Sequence, residues 1–218
     1  MPSNVDLLEN AAGKLGNLRA DLVFVGGSTL GLIVTDEAAA PIRGTVDVDV
    51  IAEITTYSDN VVFSERLREL GFSEDSREGA PICRWVHGDL TLDVMPIEGT
   101  VLGFSNRWYR GALETAQPAT LPSGTTIRLI TAPFFLGTKM EAFRGRGDGD
   151  FFASHDLEDF IAVVEGRESL LDEIQSAPDR LSRGGCDRVA GSATVSRCPA
   201  RLYARRCDQS AEGNSGDR

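Results

Sequence analysis

The chain is poor in the residues that hold transition metals or build disulfide frameworks. It has two histidines, His87 and His155, and four cysteines, Cys83, Cys186, Cys198 and Cys207, with no Cys-x-x-Cys pair. Neither a zinc site nor a cystine scaffold is expected from such a set. Lysine is equally scarce, Lys14 and Lys139 standing against twenty arginines. No apolar run approaches the roughly 18 residues a membrane-spanning helix needs, and the opening Met-Pro-Ser-Asn-Val-Asp lacks the basic region and apolar core of a signal peptide. A cytoplasmic protein without membrane contact is the expectation. There is also no Gly-x-x-x-x-Gly-Lys loop, which argues against kinase-like transfer of a γ-phosphoryl group. Positive charge is in deficit, with a formal net charge of -11, so any nucleic-acid contact has to be local.

What is present begins with core material. A chain of 218 residues with 41% hydrophobic content can bury the core of one large domain or two small ones. Its most informative stretch is Arg43-Gly44-Thr45-Val46-Asp47-Val48-Asp49-Val50-Ile51. The β-branched residues predict a strand, and the two-residue period of a strand puts Thr45, Asp47 and Asp49 on one face and Val46, Val48 and Val50 on the other. Carboxylates at i and i+2 lie roughly 6 to 7 Å apart, so their repulsion has to be offset by open water or by a hard divalent cation bound through oxygen. The strand alone leaves both readings open.

Upstream, Leu7, Leu8, Ala11, Ala12 and Leu15 fall at helical spacing behind Ser3 or Asn4 as a cap. Leu22-Val23-Phe24-Val25 reads as a short strand that runs into Gly26-Gly27-Ser28, with Thr29 to Val34 continuing as a helix. Glycines in such a turn let a ligand approach the backbone, a helix start favours phosphate, and Ser28 adds a hydroxyl. Downstream, residues 58–70 are expected to form a helix, and 82–86 and 90–94 a hairpin turning at His87-Gly88-Asp89. In its second strand Thr91, Asp93 and Met95 share a face, which makes Asp93 a third carboxylate in a strand that is otherwise apolar.

Residues 106–116 are expected to be helical and 126–130 to be a strand. Arg107, Trp108, Tyr109 and Arg110 form a basic and aromatic cluster, which reads either as an RNA-stacking patch or as a packed Trp108 beside solvated arginines. A helix is predicted from Thr131 and Pro133 through Arg144, with Lys139 one turn from both Phe135 and Phe143 and its ammonium reaching outward. Ser154 caps a further helix whose expected buried stripe is Leu157, Phe160, Ile161 and Val164, with Asp156 and Asp159 together on one side. From about 181 the pattern is lost, and the last 38 residues are expected to form a disordered or irregular tail.

Taken together, Gly26-Gly27-Ser28, Arg43-x-Thr45-x-Asp47-x-Asp49 and Asp93 on a later strand resemble the nucleotidyltransferase superfamily of the polymerase-beta type. Lys139 followed by Asp156-Leu157-x-Asp159 resembles its AbiEii-type abortive-infection and toxin branch. The resemblance implies an α+β fold, a mixed sheet flanked by helices and followed by a small helical part. Residues 1–125 would be the core domain, 126–180 the helical part and 181–218 the tail. It implies that Gly26, Gly27, Ser28, Arg43 and Lys139 bind the nucleotide. It implies that Asp47, Asp49 and Asp93 hold two Mg²⁺ ions, for which Mn²⁺ could substitute, and that Lys139 and Asp156 complete the catalytic set. The activity it implies moves a nucleoside monophosphate from a nucleoside triphosphate to an acceptor hydroxyl, tRNA among the candidates, in a toxin with a cognate antitoxin protein as partner. The alternative is a catalytically weak nucleotide-binding or partner-binding subunit.

Overall fold

The structure is a computed structural model that describes residues 3–146 and 153–177. The chain divides into two units, Met1–Glu168 and Ser169–Arg218.

The first unit opens with helix α1, Asn4–Leu15, fixed at its start by a reciprocal capping box. Ser3 Oγ accepts from the Asp6 amide at 3.1 Å, and Asp6 Oδ2 accepts from the Ser3 amide at 2.9 Å. Its apolar face, Leu7, Leu8, Ala11, Ala12 and Leu15, is buried. A 3-10 segment, Gly16–Asp21, leads into strand β1, Leu22–Val25. After β1 come a 3-10 turn, Gly27–Thr29, and the short helix α2, Leu30–Ile33. Then follow β2, Asp47–Ala52, and α3, Tyr57–Glu69, which is capped by Thr56 and Asp59 in the same way as α1. Next are β3, Ser73–Glu74; β4, Arg84–His87; β5, Leu90–Pro96; α4, Gly99–Leu102; and α5, Tyr109–Thr115. The unit ends with β6, Gln117–Thr120; β7, Thr126–Leu129; α6, Ala132–Arg146; and α7, His155–Gly166.

The strands form one mixed sheet in the order β3-β4-β5-β2-β1-β7-β6. β1 runs antiparallel to β2 and parallel to β7, and β2 runs parallel to β5. The expected α+β architecture, a mixed sheet flanked by helices, is the one observed. Alternation sorts the side chains as the period-2 pattern requires. Leu22 and Phe24 of β1, Val48 and Val50 of β2, and Leu90, Leu92 and Val94 of β5 join α1 and α3 residues in the main core. Asp47 and Asp49 of β2 and Asp93 of β5 therefore point to the opposite face.

Several local expectations are corrected. β2 begins at Asp47 instead of near Arg43. The preceding segment leaves the sheet because Asn4 holds it: its side-chain amide donates to the Arg43 carbonyl at 3.1 Å, and its Oδ1 accepts from the Thr45 amide at 3.1 Å. The helix expected from Thr29 to Val34 is only four residues of α2. β3, α4 and β6 have no counterpart in the sequence reading; β6 carries Pro118 at the sheet edge, where a missing N–H does least harm. The strand expected at 126–130 is β7, which pairs antiparallel with β6, Thr120 lying opposite Thr126.

On α7 the buried residues are Asp156, Asp159, Val163 and Gly166, while Ile161 is 43% exposed. The expected stripe of Leu157, Phe160, Ile161 and Val164 is thus not the inward one. The polar face turns inward because Lys139 and Arg43 supply partners for the two acids there. At its far end the Gly166 carbonyl accepts from the Thr35 and Asp36 amides at 2.8 and 3.0 Å, which ties the loop after α2 to this helix. In the second unit, the described residues form α8, Leu170–Ser176, with Ser169 Oγ 2.6 Å from Glu173 Oε1. The tail expected from 181 lies outside the described residues.

Candidate active site

Strand register assembles the acids. Asp49 is the Cα partner of Val25 on one side and of Asp93 on the other, and Asp93 is the partner of Arg84 across the β4–β5 hairpin. Val25, Asp49, Asp93 and Arg84 thus form one rung across four strands. Like charges directly opposite each other on neighbouring strands destabilise a sheet. Arg84 offsets this. Its Nε donates to Asp93 Oδ1 at 2.8 Å and its Nη2 to Asp93 Oδ2 at 2.7 Å, with a further bond from Nη2 to Asp47 Oδ2 at 3.0 Å. The bonds to Asp93 are the main reason the Arg84 guanidinium holds its proton even more firmly than usual. Asp47 also accepts from the Thr45 hydroxyl at 2.8 Å.

The glycine turn meets this rung at Asp49. Gly26 has φ +72, and a Cβ placed there would overlap the Asp49 carboxylate, 2.7 Å from its Cγ. Only glycine tolerates both the left-handed backbone and the close approach. A Cβ at Gly27 would come 3.0 Å from Arg43 Nη2 and 3.4 Å from Asp159 Oδ2. The turn is closed by Thr29, whose amide and hydroxyl both donate to the Gly26 carbonyl, at 3.1 and 2.7 Å. Asn4 donates to the Gly27 carbonyl at 3.2 Å, so one side chain ties this turn to the segment that carries Arg43 and Thr45. Ser28 is fully buried, and its Oγ is without a hydrogen-bond partner among the described residues.

On the far side of the turn lies a second charged group. Arg43 Nε and Nη2 donate to the two oxygens of Asp159 at 2.9 and 3.1 Å. Lys139 Nζ reaches Asp159 Oδ2 at 2.6 Å and Asp156 Oδ1 at 3.2 Å. Asp159 is 1% exposed, and Lys139 is buried at 8% with its ammonium 5.7 Å from the Phe135 ring centre. The expectation that the ammonium reaches outward is corrected: it is drawn in by the two acids. Burial would weaken the hold of Arg43 on its proton, but its hydrogen bond to Asp159 and the fields of Asp159, Glu158 and Asp156 outweigh that and raise its pKa.

Of the residues singled out from sequence, Gly26, Asp49, Asp93 and Asp47 meet along one edge of the turn, and Gly27, Arg43, Lys139 and Asp156 along the other. Three further residues contribute: Arg84, Asp159 and Asn4. Arg84 was legible in principle, because a two-residue turn at Gly88-Asp89 pairs 87 with 90 and hence 84 with 93. Asp159 was visible beside Asp156, but its two cationic partners come from distant segments. Asn4 read only as a cap. The basic and aromatic cluster resolves toward packing: Trp108 lies edge-on to Phe134 at 6.3 Å, while Arg107 pairs with Glu141 and Arg110 with Glu98.

As to a metal, three aspartate carboxylates are the hard oxygen donors that Mg²⁺ or Mn²⁺ takes, so the donor set fits in kind. Among the described residues, however, no three acids stand as a metal-holding group, and Arg84 bridges Asp93 and Asp47. His87 stacks edge-on against Phe72 at 5.1 Å, away from this chemistry.

The mixed seven-stranded sheet flanked by helices matches nucleotidyltransferase-like folds. Two of the solved structures that match it illustrate the likeness. One is an antigenic nucleotidyltransferase-like protein from Paracoccidioides brasiliensis, with a TM-score of 0.51 and 19% identity over 83% of this chain and 91% of that one. The other is the antibiotic-resistance factor ANT(2'')-Ia, solved in solution, with a TM-score of 0.51 and 12% identity over 95% of this chain and 97% of that one. At the level of sequence, no family model and no curated protein matches the chain. Among the described residues, no helix is long and apolar enough to cross a membrane.

Proposed function

We propose that the protein is a nucleotidyltransferase that moves a nucleoside monophosphate from a nucleoside triphosphate to an acceptor hydroxyl. The observation that carries this reading is the Ser28 hydroxyl, fully buried and unpartnered, in a glycine turn that touches Asp49 on one side and Arg43 on the other. A buried hydroxyl without a partner costs about 1 to 3 kcal/mol. A phosphate oxygen would supply its missing bond.

In this reading Gly26 and Gly27 let the triphosphate lie against the backbone, and Ser28 donates to one of its oxygens. Arg43 and Lys139 line the other wall, positioned by Asp159 and Asp156. Asp47, Asp49 and Asp93 would hold Mg²⁺, with Mn²⁺ as a substitute. When bound, such ions neutralise phosphate charge and lower the pKa of an attacking hydroxyl. In-line attack joins the acceptor oxygen to the α-phosphorus and breaks the bond to the bridging oxygen, whose electrons leave with pyrophosphate as the hydroxyl gives up its proton.

For the acceptor, the AbiEii-type resemblance points to tRNA and to a toxin restrained by an antitoxin. A small-molecule hydroxyl is the other candidate acceptor, and one protein that shares the fold is named an antibiotic-resistance factor. The pairing of Arg107 and Arg110 with glutamates weighs against an RNA-stacking patch at that place.

The test incubates the protein with Mg²⁺ and each α-³²P-labelled nucleoside triphosphate, offering total tRNA in one series and an aminoglycoside in another, beside an Asp49→Ala control. Label on either acceptor that depends on Asp49 establishes the transfer and the acceptor class. Nucleotide binding with no transfer to any acceptor would replace this reading with the binding-subunit alternative.

A further inference from the structure

We infer that Arg84 is a built-in counter-ion that closes the acidic rung to divalent cations until it is displaced. The inference rests on the proposed metal-binding role of Asp47, Asp49 and Asp93 and concerns the regulation of that same site. The geometry is that of a competitor. Arg84 grips both oxygens of Asp93 in a fork and reaches Asp47 with the same terminal nitrogen, at 2.7 to 3.0 Å. These are two of the three carboxylates that would ligate an ion. A carboxylate oxygen aimed into such a fork is committed to it, since planar bidentate pairing fixes its orientation as well as its charge.

Arg84 is not a surface residue that has drifted into the site. It lies in β4 directly opposite Asp93, and Trp85 beside it is buried in the main core, so the guanidinium is delivered to the rung by strand register. The Arg84 side chain is 22% exposed and Asp93 10%, a setting in which water screens the pair only in part. On its outer flank Arg84 is held by backbone, its carbonyl accepting from the Asp75 amide at 3.0 Å, and the Asp75 carboxylate there is already paired with Arg77.

Cation entry then exchanges one partner for another. The Arg84 guanidinium leaves Asp93 and Asp47, and the carboxylates turn to the ion. The apparent affinity for metal falls by whatever the arginine fork contributes, so the resting protein binds cations weakly. A bound triphosphate, which brings its own oxygen ligands and negative charge, gives both the ion and the released guanidinium a further partner. Arg84 thus couples metal loading to nucleotide binding.

The experiment titrates the full chain with Mn²⁺ alone, reading free Mn²⁺ by electron paramagnetic resonance, for the wild type, Arg84→Gln and Arg84→Lys. Circular dichroism melts check that each variant is folded. The expected result is an Mn²⁺ affinity about tenfold or more higher in Arg84→Gln, with Arg84→Lys between it and the wild type. Equal or weaker binding in the folded variants overturns the inference and leaves the metal reading standing, provided the wild type binds. Absence of Mn²⁺ binding in all three overturns both.

A second measurement needs no variant that must fold. In ¹⁵N spectra of the wild type, the Nε–H of a forked arginine exchanges slowly and gives a distinct resonance. Addition of Mg²⁺ with a non-hydrolysable nucleoside triphosphate should abolish the Arg84 signal. Its persistence at saturating Mg²⁺ and nucleotide would sink the proposal.

Discussion

Asp49 occupies the space that any side chain at position 26 would need. A Cβ at Gly26 would lie 2.7 Å from Asp49 Cγ, on a backbone with φ +72. Gly26→Ala is therefore expected to cost about 2 to 4 kcal/mol, roughly half from the left-handed backbone and the rest from displacing the carboxylate. Nucleotidyl transfer should fall with it, because the displaced group is Asp49. Urea unfolding measures the first effect and the labelled-nucleotide assay the second.

Ser28 should behave in the opposite way. Its Oγ is buried without a partner, so Ser28→Ala removes a desolvation cost instead of a bond. The variant is expected to melt at the wild-type temperature or up to a few degrees above it. Nucleoside triphosphate affinity should drop about tenfold to a hundredfold, the loss of one hydrogen bond to a charged group. Loss of stability without loss of affinity would show that the hydroxyl has a structural partner.

Asp159 bridges two cations, Arg43 and Lys139, and Asp156 also engages Lys139. Removing one member of a buried ion pair costs about 3 to 5 kcal/mol, because the charge left behind has no compensation. Asp159→Ala should therefore unfold at clearly lower urea than the wild type, and an unchanged midpoint would show that the shared-acid arrangement is wrong.

Cys83 is buried, and burial together with the field of Asp93 pushes its thiol up to about 12 from 9.0. The folded protein keeps this thiol neutral, while the unfolded chain ionises it at an ordinary pKa. The thiol's contribution is complete below about pH 9 and declines as pH rises toward about 12, since between those values the unfolded state binds fewer protons. Stability should fall over that window, and less steeply in Cys83→Ala. Equilibrium unfolding at a series of alkaline pH values measures the slope.

Asn4 makes three hydrogen bonds, at 3.1 to 3.2 Å, to Gly27, Arg43 and Thr45. Asn4→Ala is expected to cost about 1 to 3 kcal/mol and to weaken nucleotide binding, because the turn and the Arg43 segment lose their common anchor. Asn4→Asp keeps the acceptor for Thr45 but sets a carboxylate oxygen against the Gly27 and Arg43 carbonyls, and should be no more stable than Asn4→Ala. Stability measured with and without a saturating nucleotide separates the anchor from the ligand.

The sheet and its inward and outward faces were legible because local pattern and tertiary role agree there. Val48 and Val50 are β-branched and buried, and the aspartates between them have to face the other way. Helix α1 was legible for the same reason, its capping box and apolar stripe lying within one segment. What could not be read is what depends on pairings between distant segments. The inward face of α7 is acidic because Arg43 and Lys139 come to it from 116 and 20 residues away, respectively, and no periodicity encodes that. By hydrophobicity alone, Leu157, Phe160, Ile161 and Val164 are the better core. The depth of Lys139 was misread on the same ground, since a lysine is expected to snorkel until its acids are known. Arg84 could have been placed from the hairpin's turn, but its contact with Asp47 needs the neighbouring β2 as well.

The pairing of β1 with β7 has a consequence for synthesis. Val23 lies beside Arg128, and the acids that engage Arg43 and Lys139 come still later, at 156 and 159. A nascent chain emerging at about 5 to 20 residues per second therefore displays the glycine turn and the Asp47–Asp49 strand for several seconds before their partners exist. The walls of the candidate site close only when α7 has left the ribosome, so until then Arg43 and Lys139 lack the acids that hold them.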